Sequence, residues 1–185
     1  MGQKQIAKTD VIFVGLGGMG VLMAGKLLST AALNQYKYVS WLPSYGVEKR
    51  GGLCECTVVY SDKEISSPII DQAKAVIAID NSQFNVFENR VKPGGMYVVE
   101  SSGLQEERKR TDYQLLKVAG REAAIDLGDI QLCSLVLLGA FAEASDTVQA
   151  DSVEKELKSR FSSNETVLER NLNAFKKGVE LGTAQ

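Results

Sequence analysis

The sequence predicts an α/β fold: a three-layer, Rossmann-like domain with a mostly parallel sheet, one antiparallel excursion and a helical C-terminal third. Three observations carry that prediction. Asp10-Val11-Ile12-Phe13-Val14 is an almost unbroken apolar run, as expected of a parallel strand buried on both faces. It ends in Gly15-Leu16-Gly17-Gly18-Met19-Gly20, and residues 21–34 then read as a helix rich in Ala, Leu, Met and Lys. Everything beyond Asp129 reads as helix.

Taken in order, strand, glycine turn, helix and a second strand at residues 38–42 form a βαβ opening. A loop over residues 44–52 follows, and then a strand over 53–60 that leads through Ser61-Asp62-Lys63-Glu64 to Ile65, the antiparallel excursion. Residues 75–80 form a buried strand and 83–89 a short helix, with Asp80 placed to cap it. Lys92-Pro93-Gly94-Gly95 turns the chain into a strand at 96–100. A last strand at 115–118 precedes helices at 121–127, 131–144, 151–161 and 166–181. Asp151, with Glu154 three residues on, has the pattern of a capping box. No repeat or linker divides the chain, so residues 1–185 are expected to form a single domain.

Composition narrows the function. A formal charge of −2 offers no electrostatic pull toward nucleic acid or anionic lipid. The apolar runs are too short to span a bilayer, and residues 1–10 lack a signal-peptide core, so a cytoplasmic protein is expected. There is no histidine at all, which removes Ser–His and Cys–His pairs, His general bases and His metal ligands together. The three cysteines are too few for an iron–sulfur cluster. Cys54 and Cys56 alternate onto one face of their strand and read as small core residues. No catalytic residue and no metal site is therefore assigned to this chain.

Two segments remain as candidate sites. Gly15, Gly17, Gly18 and Gly20 follow a strand and open a helix, the setting of a dinucleotide fingerprint and of a phosphate cradle. The acidic residue that would hold a ribose is missing, because no Asp or Glu lies between Val21 and Val47. The turn therefore either contacts another phosphate-bearing group, such as the diphosphate of coenzyme A, or serves only close packing. The second segment is Ser44-Tyr45-Gly46-Val47-Glu48-Lys49-Arg50-Gly51-Gly52. It concentrates a guanidinium fork, a carboxylate and a phenol among glycines that admit a close backbone approach. Ser44, Tyr45, Gly46, Glu48, Arg50, Gly51 and Gly52 join the four glycines of the turn as candidate ligand-binding residues. Arg50 fits either a ligand contact or an intersubunit salt bridge, and Tyr45 either a stacking contact or loop packing.

These residues also carry a resemblance. The glycine turn, the stretch from Ser40-Trp41-Leu42-Pro43 through Gly52, Cys56-Thr57-Val58-Val59-Tyr60-Ser61, Ser67-Pro68, Val91-Lys92-Pro93-Gly94-Gly95 and Asn171-x-x-Ala174-Phe175-x-x-Gly178 resemble the gamma subunit of 2-oxoacid:ferredoxin oxidoreductases. The Trp41-Leu42-Pro43 lead-in is most similar to the 2-oxoglutarate type. The chain departs from the family pattern at Met19, where Gln is usual, and at Ser134, where Asn often precedes the Leu138-Gly139 pair. The resemblance implies a complex that decarboxylates a 2-oxoacid on thiamine diphosphate and passes electrons through iron–sulfur clusters to ferredoxin or a similar acceptor. It forms an acyl-CoA. Alpha, beta and delta partner chains would carry thiamine diphosphate, Mg²⁺ and the clusters, while this chain flanks the site and contacts coenzyme A. Pyruvate or a branched 2-oxoacid is the alternative substrate. A nucleotide-binding regulatory domain and a ligand-free scaffold are the alternative functions. An isolated chain can self-associate through the surface meant for its partners.

Overall fold

A computed structural model of the chain describes residues 8–45, 51–105 and 108–183. The chain runs β1 (Thr9–Leu16), α1 (Val21–Ala32), β2 (Tyr38–Tyr45), β3 (Leu53–Ser61), β4 (Ala73–Ala78), α2 (Phe84–Phe87) and β5 (Val91–Glu100). It continues through β6 (Gln114–Val118), α3 (Gly120–Asp126), α4 (Cys133–Ser145), α5 (Ala150–Arg160) and α6 (Glu165–Thr183). One six-stranded sheet has the order β2-β3-β1-β4-β5-β6. β1, β4, β5 and β6 pair in parallel, and β3 runs against both its neighbours. The predicted α/β class, the mostly parallel sheet and the antiparallel excursion are all present.

Strand alternation sorts the sheet into two apolar faces. Val11 and Phe13, Cys54, Cys56, Val58 and Tyr60, with Ile77 and Val98, point to the face packed by α1, α4, α5 and α6. Ile12, Val14, Val76, Ala78, Tyr97 and Val99 point to the other, where Phe84 and Phe87 of α2 are the main helical cover. One outer layer is therefore thick and the other thin. On the thick side, α4 is buried nearly all round between the sheet and α6. Its Gly139 and the Gly178 of α6 let the two backbones touch. A methyl on Gly139 would stand 2.1 Å from the Phe175 carbonyl oxygen, and one on Gly178 would stand 2.0 Å from that of Val136.

Several expectations are corrected. β2 does not pair with β1, because β3 lies between them. β2 also continues through Pro43 and Ser44 to Tyr45, where a loop was expected from Ser44. Pro43 has no N–H to give a ladder, but β2 is an edge strand bonded on one side only, so the strand survives it. Lys92-Pro93-Gly94-Gly95 is a bulge inside β5 rather than a turn before it: Val91 pairs with Ala73 and Met96 with Ala75. Ile65 belongs to no strand. Asp151 does not cap α5. The cap position is Gln149, which makes no side-chain cap bond, and Asp151 lies in the first turn, where its charge still suits the helix dipole.

Candidate functional site at the carboxyl edge of the sheet

β1 leads into α1 on the thick face, and β4 leads toward α2 on the thin face. The chain thus leaves two adjacent parallel strands in opposite directions. Open α/β sheets bind ligands in the crevice beyond the carboxyl ends of such a strand pair. Here that crevice is flanked by the glycine turn after β1 and by Asp80 after β4.

The turn is held by its backbone. The Met19 N–H donates to the Leu16 carbonyl at 3.1 Å, and the Gly17 N–H donates to the carbonyl of Gly52 at 2.9 Å. Gly20 is the cap residue of α1, with φ 80° and no side-chain cap bond. A methyl there would stand 2.5 Å from the Oγ of Ser134, which lies buried at the start of α4. Ser134 donates a long 3.4 Å bond to the Gln131 carbonyl. So Ser134, one of the two departures from the pattern of the resembled family, sits directly against the turn. Gly18, at φ 96°, is exposed, and among the described residues no atom lies within 4 Å of where a methyl would be. Met19 packs against the thick-side core.

Across the crevice, Asp80 caps the turn before α2, as expected: its Oδ1 accepts from the Ser82 N–H at 3.0 Å and from the Ser82 hydroxyl. Its Oδ2 lies 3.9 Å from the Arg121 guanidinium. Glu100, fully buried at the end of β5, accepts through Oε1 from the Ser102 N–H and hydroxyl and from the Arg121 N–H. Its Oε2 has no hydrogen-bond partner among the described residues. The sequence reading passed over Glu100 and Arg121. Their signal was available, since Glu100 ends an apolar strand just as Asp80 does.

The second predicted segment is only partly described. Ser44 is exposed at the end of β2 opposite Glu55, and the Tyr45 backbone pairs with Cys54. Gly51 has φ 78°, and Gly52 meets the glycine turn. Gly46, Glu48 and Arg50 lie outside the described residues. The two segments named from sequence therefore converge at Gly17 and Gly52.

The thiols do not suit cluster ligation. Burial pushes Cys56 and Cys133 up to about 12, which disfavours the thiolate that a cluster ligand has to become. Cys56 donates to the Val21 carbonyl at 3.6 Å. Among the described residues, no three His, Cys, Asp or Glu side chains are grouped so as to hold a metal ion. Nor is any described helix long and apolar enough to cross a membrane.

The family model described as pyruvate ferredoxin/flavodoxin oxidoreductase matches residues 10–181. The chain belongs to this family. One member, the 2-oxoglutarate synthase subunit KorC of Methanothermobacter marburgensis, is 30% identical over 183 residues, covering 94% of this chain and 96% of KorC. The ketoisovalerate oxidoreductase subunit VorA of Methanothermobacter thermautotrophicus is 29% identical over 177 residues, 95% of this chain. This chain spans only 37% of VorA's length. The solved gamma subunit of the keto/oxoacid ferredoxin oxidoreductase from Geobacter sulfurreducens superposes with a TM-score of 0.80 at 28% identity, covering 96% of this chain and 99% of that one. Within the family the same unit thus occurs both as a whole subunit and as part of a longer chain.

Proposed function

We propose that this chain is the gamma subunit of a multi-subunit 2-oxoacid:ferredoxin oxidoreductase, forming one gamma-type domain over residues 1–185 of a cytoplasmic complex. The reaction takes a 2-oxoacid and coenzyme A to an acyl-CoA and CO₂, and two electrons leave to ferredoxin or a similar acceptor. The observation that carries this reading is the end-to-end match to KorC and to the Geobacter sulfurreducens gamma subunit. The KorC match and the Trp41-Leu42-Pro43 lead-in favour 2-oxoglutarate as the substrate.

Alpha, beta and delta partners would hold thiamine diphosphate, Mg²⁺ and the iron–sulfur clusters. The donor set of this chain suits that division, because its buried thiols do not fit the clusters. What this chain would offer is a wall. The open backbone at Gly18 and the uncapped amino end of α1 suit a phosphate of coenzyme A, because free N–H groups and the positive end of the helix dipole point outward there. The Gly17 N–H is committed to Gly52 and the Met19 N–H to Leu16, so the contact would fall to the amides of Gly18 and Gly20. Arg50 and Glu48 would complete the wall beside the partner subunits.

The test is to co-express the chain with its partner subunits and assay 2-oxoglutarate, pyruvate and 2-ketoisovalerate, with and without coenzyme A. The reading requires a complex that needs coenzyme A and prefers 2-oxoglutarate. A chain that purifies alone, binds ATP and supports no 2-oxoacid oxidation would sink it. Unchanged kinetics for both the 2-oxoacid and coenzyme A in Arg50→Ala would remove that residue from the site.

A further inference from the structure

We propose that Arg121, at the carboxyl-edge crevice, takes a phosphate of coenzyme A and so sets how tightly the complex holds it. This rests on the reading above that a phosphate-bearing ligand enters the crevice, and it names a side chain that recognises that ligand.

The chain leaves β4 and β5 in the same way. Asp80 and Glu100 each have a serine two residues on, and each carboxylate accepts through one oxygen from the N–H and the hydroxyl of that serine, Ser82 or Ser102. The Asn81 side-chain amide donates to the Ser102 carbonyl at 2.7 Å and ties the two turns together. Arg121, in the first turn of α3, bridges the pair. Its backbone N–H donates to Glu100 Oε1 at 3.2 Å, and its guanidinium lies 3.9 Å from Asp80 Oδ2. That separation is too long for a hydrogen bond, so the ion pair orients the guanidinium without consuming its donors. Among the described residues the guanidinium makes no hydrogen bond, and the Arg121 side chain is 37% exposed. The fork is anchored at its base and free at its tip.

The same residues border the glycine turn. A methyl on Gly15 would stand 3.7 Å from the Asp80 nitrogen. On the other side the first turn of α4 touches both segments: Ser134 faces Gly20, and the Cys133 sulfur lies 3.2 Å from where a methyl on Gly120, next to Arg121, would be. The Gly18 and Gly20 amides and the Arg121 guanidinium are thus donors flanking one crevice. A guanidinium fork matches two oxygens of a phosphate, and a carboxylate behind it fixes its orientation. The carboxylates of Asp80 and Glu100, 7% and 0% exposed, would by themselves repel an anion, so Arg121 has to stand between them and the ligand. Neutralising Arg121 would remove an attraction and uncover a repulsion together.

The experiment measures steady-state kinetics and melting of the co-expressed complex carrying Arg121→Gln or Arg121→Lys. The proposal expects Arg121→Gln to raise the KM for coenzyme A by about tenfold or more, with kcat and the KM for the 2-oxoacid unchanged, the pattern of binding lost equally from ground and transition states. Arg121→Lys keeps the charge and loses the fork, so its rise should be smaller. Repeating the assay with 3′-dephospho-coenzyme A assigns the phosphate: an effect that persists belongs to the diphosphate, and one that vanishes belongs to the 3′-phosphate. A smaller rise for coenzyme A in Arg121→Gln overturns the proposal, and so does an equal rise in the KM for the 2-oxoacid, whose carboxylate would then be the anion held. A lowered melting temperature with an unchanged KM overturns it too, and leaves Arg121 as a strut between strand ends. Should Arg121→Gln fail to assemble, Arg121→Lys decides by the same readout, with a rise of about threefold or more in support and less against. A wild-type complex that oxidises 2-oxoacids without coenzyme A overturns the functional reading itself, a result distinct from all of these.

Discussion

The Gly17 N–H donates to the Gly52 carbonyl at 2.9 Å, one step beyond the last strand pair, Leu16 with Leu53. The bond extends the antiparallel β1–β3 ladder into the two glycine-bearing segments. Their relative position is therefore set by strand register, not by the loops themselves. A register slip would move every side chain of β3 to the other face, driving Glu55 into the core under the helices of the thick side and taking Cys56 and Val58 out of it, so the juxtaposition is strongly fixed.

Gly20→Ala is expected to destabilise the protein for two separable reasons. Its φ of 80° costs an L-residue about 1–2 kcal/mol. Its methyl would also collide with the Ser134 Oγ, 2.5 Å away. Urea unfolding should show Ser134→Ala recovering part of the loss in the double variant, with the backbone share remaining. Strict additivity of the two substitutions would show that Ser134 does not press on the turn.

Gly139 and Gly178 should invert the usual effect of Gly→Ala in a helix. Alanine normally gains about 1 kcal/mol through propensity. Here each methyl would fall about 2 Å from a carbonyl oxygen of the facing helix, and backbone cannot rotate aside as a side chain can. Either substitution should destabilise by about 3 kcal/mol, at the upper end of overpacking costs. A stability equal to or above wild type in denaturant melts would mean that α4 and α6 are not in this close contact.

Most of the fold was legible because its buried strands are short unbroken apolar runs bounded by glycine or polar turns. Val11 to Val14 and Val76 to Ile79 announced themselves this way. What stayed hidden depends on pairing between distant segments. Nothing local in residues 53–60 says that they slot between β1 and β2, so neither the strand order nor the meeting of Gly17 with Gly52 could be read. Pro43 looked like a strand end because its tolerance depends on β2 being at the sheet edge. In the same way, Asp80 was legible as a cap from its neighbours and Glu100 as a carboxylate ending an apolar strand, whereas the bond from the Arg121 N–H to Glu100 exists only once the end of β5 and the start of α3 lie side by side.

Alkaline pH should weaken the fold before it affects anything else. Burial raises Cys56 and Cys133 from 9.0 to about 12, and the Glu100 carboxylate adds to the effect on Cys133. The folded protein thus holds these protons more tightly than the unfolded chain does. Their contribution is whole below pH 9 and is lost as pH rises toward about 12. Tyr113, raised by burial and by its bond to Glu88 to about 12, adds a further loss above pH 10. Urea unfolding at pH 8 and pH 10.5 should show a steep fall in wild type and a shallower one in Cys56→Ala. Equal slopes would mean that the thiol is not buried as described.

At the amino edge of the sheet, Asp10 ties three strands together. It is 2% exposed and accepts from the Lys74 N–H at 2.6 Å and from the Lys92 ammonium at 2.7 and 2.9 Å. Lys92→Met would leave a buried carboxylate with one backbone donor. Breaking a fully buried pair costs about 3–5 kcal/mol and an exposed one about 0–1. Lys92 is 37% exposed, so a loss of about 2 kcal/mol is expected between those limits. Adding Asp10→Asn removes the stranded charge while leaving an oxygen for the Lys74 N–H, so the double variant should be more stable than Lys92→Met alone. A double-mutant cycle in urea measures this directly. A coupling energy below about 0.3–0.5 kcal/mol, the ordinary scatter for independent sites, would show that the pair contributes nothing to the join between β1, β4 and β5.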